Sequence, residues 1–208
     1  MKRVVITGIG VLSPIGNDAD SISDSLLNGK SGLILNQDFI DNGMRCHVSG
    51  NISADIDQID RKFLRFMSET SAYSYLAAEA AIKDSGLSMN DIQSENTGVV
   101  VGSGTGSSKE IQRVMDVSRE RGIKRIGPYS VTKTMSNTTS AAISTFFQTK
   151  GISYSIASAC TTSLHCISHG CDLIKLGRQQ IVIAGGAEDF HWSGSVSYTH
   201  LTLPTSND

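Results

Sequence analysis

Three runs of valine and isoleucine in this chain are each followed by glycines and are separated by segments with helical periodicity. The runs cover residues 4–7, 97–101 and 181–184. A continuous apolar run of this length indicates a strand buried on both faces, and strands that alternate with helices form parallel sheets. The chain is therefore predicted to have an α/β fold, with a largely parallel sheet covered by helices on both faces.

The segments between these runs show helical spacing bounded by residues typical of helix ends. Asp18 or Asp20 is expected to cap the first helix, and Gly29 and Gly86 are expected to end the first and the second. A weak strand signal lies at 46–52. The helices are predicted over residues 18–29, 60–84, 108–121 and 136–149.

The most informative stretch, residues 152–177, joins a short β-type run to a helical pattern. Small residues at 157–159 follow the run, and from Cys160 apolar residues recur at helical spacing. Gly177 stands where a helix C-terminus is expected. Cys160 is thus predicted to lie at a strand-to-helix turn, at the N-terminal end of a largely apolar helix.

Two interpretations of Cys160 follow from this position. A thiol at a helix N-terminus lies beside unpaired N–H groups and the positive end of the helix macrodipole, which favour the nucleophilic thiolate. Cys160 is therefore a candidate nucleophile. The alternative is a small buried hydrophobe, the usual role of a free cysteine. Because a helix terminus contributes only about 0.3–1 kcal/mol, catalysis also needs a base or a second polar partner.

Charge and cysteine content bear on the class of protein. The net charge of −2 gives no signal for nucleic acid or a membrane surface. The four cysteines show neither CxxC spacing nor the framework of a secreted domain, so reduced thiols in a cytoplasm are expected. The start resembles a signal peptide, but Thr7 and two glycines break its apolar run, and no stretch reaches transmembrane length.

Glycine-rich loops follow two of the predicted strands. The loop at 8–10 resembles a dinucleotide-binding fingerprint, but Ser13 replaces the third glycine and Pro14 interrupts the helix that would bind pyrophosphate. The loop at 102–106 could cradle a phosphate, but no Walker lysine follows it. A close-packed loop beside a substrate channel is the preferred interpretation.

Two other patterns have a plain structural alternative. His165 and His169 lie four apart on one predicted helix, a geometry that can bind metal, but no third ligand stands at a metalloenzyme spacing. No metal is therefore expected. Basic residues form two clusters that could face an acidic partner, although solvated helix faces are the default for such charges. The clusters comprise Lys62, Arg65, Arg121, Lys124 and Arg125.

The C-terminal tail differs in kind from the rest. From about Ser195 it reads SVSYTHLTLPTSND, with no helical period and no link to the preceding pattern. It resembles a translated adapter used in transposase-based DNA library preparation. Residues 195–208 are therefore predicted to be a non-native read-through tail, and residues 1–194 the evolved domain.

The motifs together resemble a β-ketoacyl-[acyl-carrier-protein] synthase, and most closely the type I elongating enzyme of bacterial fatty-acid synthesis. The resemblance implies a thiolase-like layered fold, α-β-α-β-α in the complete protein, with this chain as its N-terminal half, and a homodimer. The segments that carry it lie within residues 1–192 and read MKRVVITGIGVLSPIG, DRKFLRFMS, VVVGSGTGS, GPYSVTKTMSN, YSIASACTTSLHCI and IVIAGGAED.

The resemblance also implies roles for individual residues. Cys160 matches the nucleophile that takes an acyl chain from a carrier thioester before a decarboxylative Claisen condensation with malonyl carrier, and its N–H would be one of two oxyanion donors. Thr105 and Met135 match positions near the acyl pocket and the dimer interface. The position of Thr105 is smaller in the type I enzyme, which leaves the chain-length preference open.

A carrier-docking patch is implied as well, and its electrostatics suit acidic acyl carrier proteins. Lys62 and Arg65 match it, and Arg121 and Lys124 are assigned to it with them. The substrates are carried on the phosphopantetheine of the carrier, so no further cofactor is expected, and neither nucleic acid nor membrane insertion is.

The family's two catalytic histidines and its lysine lie in the C-terminal half. His165, His169 and His191 do not sit in the family's histidine motifs. We therefore expect an acyltransferase of lipid synthesis, of which these 208 residues are an incomplete and inactive piece. A polyketide-type condensing enzyme and a non-catalytic, chain-length-factor-like partner that binds the carrier stay open, and the presence of Cys160 argues against the second.

Overall fold

A computed structural model describes the backbone of residues 2–200 and the side chains of residues 2–196. Helices and short strands alternate along the chain. The first part contains α1 Ala19–Leu27, β1 Leu33–Leu35, α2 Gln37–Asp41, β2 Val48–Gly50, α3 Arg61–Leu64, α4 Glu69–Ser85 and α5 Met89–Ile92. The second contains β3 Thr97–Gly102, α6 Ser108–Arg121, α7 Ser130–Thr134, α8 Thr138–Phe147, β4 Ser153–Tyr154, α9 Thr162–Lys175, β5 Ile181–Gly186 and α10 Trp192–His200.

The central sheet has the strand order β4-β3-β5, and both pairings are parallel. β3 and β5 pair along their whole lengths, from Thr97 opposite Ile181 to Gly102 opposite Gly186. β4 pairs only through Ser153 and Tyr154. The parallel sheet predicted from the apolar runs at 97–101 and 181–184 is confirmed.

Helices cover both faces of this sheet. Alternate side chains of β3 point to opposite faces, and each set packs against different helices. Val99 and Val101 pack with residues of α4, α5 and α8, whereas Val100 packs with Cys166 and Leu173 of α9. Val99 and Val100 are fully buried, and burial of a valine side chain stabilises the fold by roughly 1.5–3 kcal/mol. The described residues thus form helix, sheet and helix layers.

The helix predicted over 60–84 is divided in two. α3 ends at Leu64, and two tight turns follow, in which Phe66 N–H donates to the Phe63 carbonyl and Met67 N–H to the Leu64 carbonyl. Ser68 then caps α4 by accepting a hydrogen bond from the Ser71 N–H. A serine that competes for backbone groups favours a cap over a helix interior, which explains the break. Gly86 ends α4 with φ of 69°, as predicted.

The strand predicted at residues 4–7 is wrong, because this described segment forms no strand. Val5 and Ile6 are 57% and 78% exposed. The backbone lies instead on α4, since a Cβ on Gly8 would be 2.2 Å from the Ala81 carbonyl oxygen. The Ile9 N–H donates to Asp84 at 2.9 Å rather than to a neighbouring strand. A cavity of about 540 Å³ separates the segment from β5.

The remaining predictions hold with adjusted bounds. Asp18 caps α1, and its side chain accepts from the Ser21 N–H at 2.8 Å. α6 has the predicted bounds, and α8 is shorter at both ends than the predicted helix. The weak signal at 46–52 corresponds to β2, which pairs antiparallel with β1. Among residues 2–200, no helix is long and apolar enough to cross a membrane.

The division of the chain at residue 194 stays a prediction, and the C-terminal helix α10 lies across it. It runs from Trp192 to His200 and so crosses the predicted domain boundary at residue 194. A helix is defined by its backbone hydrogen bonds and can form without apolar periodicity in its sequence. Residues 201–208, which complete the predicted read-through tail, lie outside the described residues.

Candidate active site

Cys160 lies in a tight turn between β4 and α9. A 3₁₀ turn, Ala159–Thr161, leads directly into α9, which begins at Thr162. Ala159 has φ of 50°, a left-handed conformation that is uncommon outside glycine and typical of constrained functional turns. Cys160 itself is exposed. The prediction that this cysteine lies at the N-terminal end of a helix is therefore confirmed.

The turn is closed by the residues on either side of Cys160. The Ser158 N–H donates to Oγ1 of Thr162 at 2.8 Å, and Oγ1 of Thr161 donates back to the Ser158 carbonyl at 2.8 Å. In the described part of the chain, Thr161 makes no side-chain capping bond at the start of α9. The N–H groups of Thr161 and Thr162 donate to the carbonyls of Ser158 and Ala159 within the turn, so it is the positive end of the α9 macrodipole that can stabilise negative charge beside Cys160.

The alternative role considered for Cys160, a small buried hydrophobe, describes Cys166 of α9 instead. Cys166 is fully buried and packs with Val100 and Leu173. Burial raises the pKa of the Cys166 thiol, which keeps it neutral and unreactive. Cys166 is thus a structural thiol, whereas Cys160 is an accessible one.

Glycines allow the turn to sit directly above the C-terminal ends of two parallel strands. A Cβ on Gly102, the last residue of β3, would lie 2.0 Å from the Ile156 carbonyl oxygen. A Cβ on Gly104 would lie 2.9 Å from the Cα of Ala159. Gly186 at the end of β5 meets the start of α9 in the same way, with 3.1 Å to Cβ of Ser163. Larger side chains at these glycines would lift the Cys160 turn from the sheet.

The loop after β3 also connects this turn with Met135. Gly106 has φ of 70°, and a Cβ there would lie 3.4 Å from the carbonyl carbon of Met135. Thr105 is exposed and stands between Gly106 and Gly104, the glycine that touches Ala159. The fold thus brings Thr105 and the Met135 segment to the Cys160 side of the sheet. Their substrate-binding role stays a prediction.

Two acidic residues that the sequence reasoning did not single out hold this loop. The carboxylate of Glu188 accepts from Ser103 Oγ at 2.8 Å, from Thr105 Oγ1 at 3.2 Å and from the Gly104 N–H. The next residue, Asp189, accepts from Ser107 Oγ. The signal that could have revealed them is an acidic pair one residue after the glycines that end β5.

Asp189 is the more buried of the two carboxyl groups. Burial raises its pKa above the usual range, and the nearby carboxylates of Glu69 and Glu188 act in the same direction. Hydrogen bonds from Ser107 and Thr70 oppose this shift because they favour the charged form.

These carboxylates decide between the two interpretations of the 102–106 loop. A phosphate cradle needs free N–H groups and a positive surrounding. Here Glu188 already accepts from the Gly104 N–H, and a second carboxylate, Asp189, lies beside the loop. The arrangement supports the close-packed loop and disfavours phosphate binding.

Two of the predicted docking residues, Lys62 and Arg65, lie beside aromatic rings. Arg65 lies over the rings of Phe66 and Tyr129, with 4.8 Å and 5.5 Å to their centroids, and the two rings are 4.4 Å apart. The ring contact joins the α3 region to Tyr129, which follows α6 in the chain. Arg121, the last residue of α6, and Lys124 are both exposed. Lys124 belongs to a 3₁₀ turn, Ile123–Arg125.

Lys62, also predicted for carrier docking, is partly neutralised by an ion pair. Its ammonium pairs with Asp60 at 3.1 Å and lies 5.0 Å from the ring centroid of Phe63. Both partners of the ion pair are more than half exposed, so the pair stabilises the fold weakly and can open toward another anion.

The histidines have separate partners. Nδ1 of His165 lies 2.7 Å from Oγ of Ser158, and Nε2 of His169 lies 2.5 Å from the hydroxyl of Tyr154. His191 lies 2.7 Å from Oγ of Ser193. Among the residues that the structure describes, no group of three or more His, Cys, Asp or Glu side chains could hold a metal ion.

Comparisons with known proteins agree on one family. Residues 1–208 match the family described as the β-ketoacyl synthase, N-terminal domain. The chain is 44% identical over 200 residues to 3-oxoacyl-[acyl-carrier-protein] synthase 1 of Haemophilus influenzae, with 95% of this chain and 49% of that protein covered. The chain thus spans about half the length of the curated relatives it matches.

Solved structures of the same kind superpose on the chain. A β-ketoacyl synthase from Burkholderia phymatum gives a TM-score of 0.85 at 28% identity, and the match covers 96% of this chain and 50% of that one. A type II polyketide synthase ketosynthase in complex with its acyl-carrier protein gives 0.75 at 22% identity, covering 97% and 55%. The fold is therefore the thiolase-like α/β fold, and the chain belongs to the β-ketoacyl synthase family, whose N-terminal domain it matches over residues 1–208.

Proposed function

We propose that the protein containing this chain is a 3-oxoacyl-[acyl-carrier-protein] synthase that extends fatty acyl chains, with Cys160 as the acyl acceptor. The Cys160 thiolate attacks the carbonyl of an acyl thioester, its new C–S bond replaces the bond to the carrier sulfur, and the carrier leaves as a thiol. Relatives named 3-oxoacyl-[acyl-carrier-protein] synthase 1 support this assignment.

One observation carries the proposal. Cys160 is exposed on a turn with a left-handed residue before it and the positive end of α9 after it, above the ends of two parallel strands. Acyl transfer needs an accessible nucleophile and donors for the oxyanion that forms on the thioester carbonyl. The backbone N–H of Cys160 is the proposed first donor.

The second step is the condensation. Loss of CO₂ from a malonyl thioester leaves an electron pair on the α-carbon, which attacks the acyl carbonyl on Cys160 and releases the cysteine thiol. The resemblance assigns the family's two catalytic histidines and its lysine to the C-terminal half of the protein. Among the described residues, His165 and His169 of α9 are hydrogen-bonded to Ser158 and Tyr154 and are not proposed for that role.

The proposed partner is an acyl carrier protein, and the proposed docking surface is the patch of Lys62, Arg65, Arg121 and Lys124. Its exposed cations, with the Arg65 guanidinium held over aromatic rings, suit an acidic partner. A ketosynthase of similar fold was solved in complex with its acyl-carrier protein. The acyl groups would arrive on the carrier's phosphopantetheine, so no cofactor of the chain's own is required.

A homodimer and a cytoplasmic location complete the proposal. Among the described residues β4 is an edge strand of the sheet, and its Ser153 and Tyr154 are exposed, so this edge is the proposed site of pairing with a second copy. All four cysteines are free, which suits a reducing compartment.

The non-catalytic alternative makes the opposite prediction for Cys160. A carrier-binding partner would need the basic patch but no accessible thiol, and Cys160 is accessible. A polyketide-type condensing enzyme would share the acyl-transfer step and differ in its substrates.

Acyl transfer to Cys160 tests the proposal directly. The complete protein that contains this chain is incubated with a fatty acyl-carrier thioester, and the acylated peptide is located by mass spectrometry, with Cys160→Ala as control. We expect one acyl group on the peptide containing Cys160 and none in the variant. Acylation that persists in Cys160→Ala, or none in the complete wild-type protein, would refute the assignment.

A further inference from the structure

We infer that Glu188 is a positioning residue for the nucleophile: it holds the loop on which the Cys160 turn rests. The inference depends on the proposed role of Cys160 as nucleophile. Glu188 is not itself in the turn or in α9, so it acts through the glycine loop that follows β3.

Both carboxylate oxygens of Glu188 accept hydrogen bonds. Oε2 accepts from Ser103 at 2.8 Å and from Thr105 at 3.2 Å, and Oε1 accepts from the Gly104 N–H. Three donors from three consecutive residues therefore converge on a single side chain. A group bound in this way fixes the loop backbone more firmly than one hydrogen bond could.

Ser103 extends the restraint to the far end of the loop. It is fully buried, and its hydroxyl accepts from the Gly106 N–H at 2.9 Å while it donates to Glu188. The loop is thus closed internally and tied to the end of β5. Its conformation depends on an acceptor at position 188.

The loop in turn supports the nucleophile turn. Gly104 approaches Ala159 so closely that a Cβ would lie 2.9 Å from the Cα and 3.0 Å from the carbonyl oxygen of Ala159. Ala159 is in the left-handed conformation and precedes Cys160. Since such a backbone persists only where its surroundings enforce it, release of the loop would let the turn relax and move Cys160 away from the N-terminus of α9.

The experiment measures alkylation of the individual cysteines by iodoacetamide, followed by mass spectrometry of the modified peptides. Glu188→Ala removes all three acceptor contacts, whereas Glu188→Gln keeps one carbonyl oxygen for the Gly104 N–H. Cys46 serves as the internal reference thiol, and buried Cys166 reports on unfolding. Glu120→Gln, at an exposed position near the end of α6, is the matched control.

We expect Glu188→Ala to slow alkylation of Cys160 by about threefold to fivefold relative to Cys46, which is the scale of a helix-terminus effect. Glu188→Gln should restore most of the wild-type rate, and Glu120→Gln should have no effect. An unchanged Cys160 rate, or a parallel change at Cys160, Cys46 and Cys166, would overturn the inference, because the second result marks general destabilisation.

Amide hydrogen exchange provides a second measurement that requires no variant. The Gly104 and Gly106 N–H groups should exchange slowly in the wild-type chain, and free exchange at both would contradict the positioning role even if Glu188→Ala fails to fold. Neither measurement involves acyl transfer. Failure of this inference is therefore distinguishable from failure of the proposed function.

Discussion

Gly104 and Ala159 are in direct backbone contact, although they belong to different connections of the fold. An added Cβ on Gly104 would meet the Cα, carbonyl carbon and carbonyl oxygen of Ala159 at 2.9–3.1 Å. These are backbone atoms, so they cannot move aside as a flexible side chain could. The contact makes the loop after β3 a physical support of the turn that presents Cys160.

Gly104→Ala is therefore expected to displace the Cys160 turn and to slow acyl transfer to Cys160, by about a hundredfold if the displacement approaches 1 Å. Gly127→Ala is the matched control, because an added Cβ there meets no described atom within 4 Å. The measurement is the rate of acylation of the Cys160 peptide. Equal rates in the two variants would show that the contact does not support the nucleophile.

Charge reversal at Lys124 is expected to weaken carrier binding about threefold to tenfold, with a smaller loss at high ionic strength because salt screens exposed charges. Lys175→Glu is the control, since Lys175 is exposed in the last turn of α9, at the opposite end of that helix from Cys160. Titration of the chain with an acyl carrier protein at two salt concentrations gives both affinities. Equal losses of affinity in both variants would show that the docking surface lies elsewhere.

Ile143→Ala is expected to lower the free energy of unfolding by about 2–5 kcal/mol, because truncation leaves a cavity in the packed core. Ile143 is fully buried against Val99 and Phe147 on one face of the sheet. Ile123→Ala should cost less than about 0.5 kcal/mol, since this isoleucine is 75% exposed. Urea unfolding curves compare the two, and similar losses would contradict the layer assignment.

The raised pKa of Asp189 should make the stability of the fold depend on pH. Its pKa is raised by burial above the ordinary 3.8, so the folded state binds its proton more tightly than the unfolded state. The free energy of unfolding should therefore contain a contribution that is present in acid and is lost as pH rises from about 3.8 through the raised pKa. Glu69 and Glu188 reinforce the shift, and Ser107 and Thr70 oppose it.

Asp189→Asn should remove that contribution while an amide oxygen remains to accept from Ser107. Denaturant unfolding of both proteins across this pH window provides the measurement. The difference in stability between variant and wild type should shift in favour of the variant as pH rises. A constant difference would show that Asp189 titrates alike in the folded and unfolded chains.

The sequence predicted the parts of the fold that local pattern determines. The runs at 97–101 and 181–184 became β3 and β5 because both faces of a central strand need apolar side chains. The run at 4–7 has the same composition, but Gly8 and Ile9 attach that segment to α4. No local pattern distinguishes these outcomes, because the deciding contacts are made with residues far along the chain.

The candidate site shows the same division. The position of Cys160 followed from the change of period at the strand-to-helix turn. Glu188 and Asp189 were missed because their partners stand 82–85 positions away, and an acidic pair after glycines is ordinarily expected in solvent. Only the parallel pairing of β3 with β5 brings these carboxylates to the glycine loop.

That pairing also sets an order of events during folding. Ser103 and Glu188 are 85 positions apart, so the chain must close a long loop before the nucleophile turn has its support. Contacts of such high sequence separation form late and slowly, whereas α9 and its hydrogen bonds are local. A newly made chain will therefore contain the Cys160 helix before it contains a Cys160 site, and selective reactivity of this thiol will report the end of folding rather than its beginning.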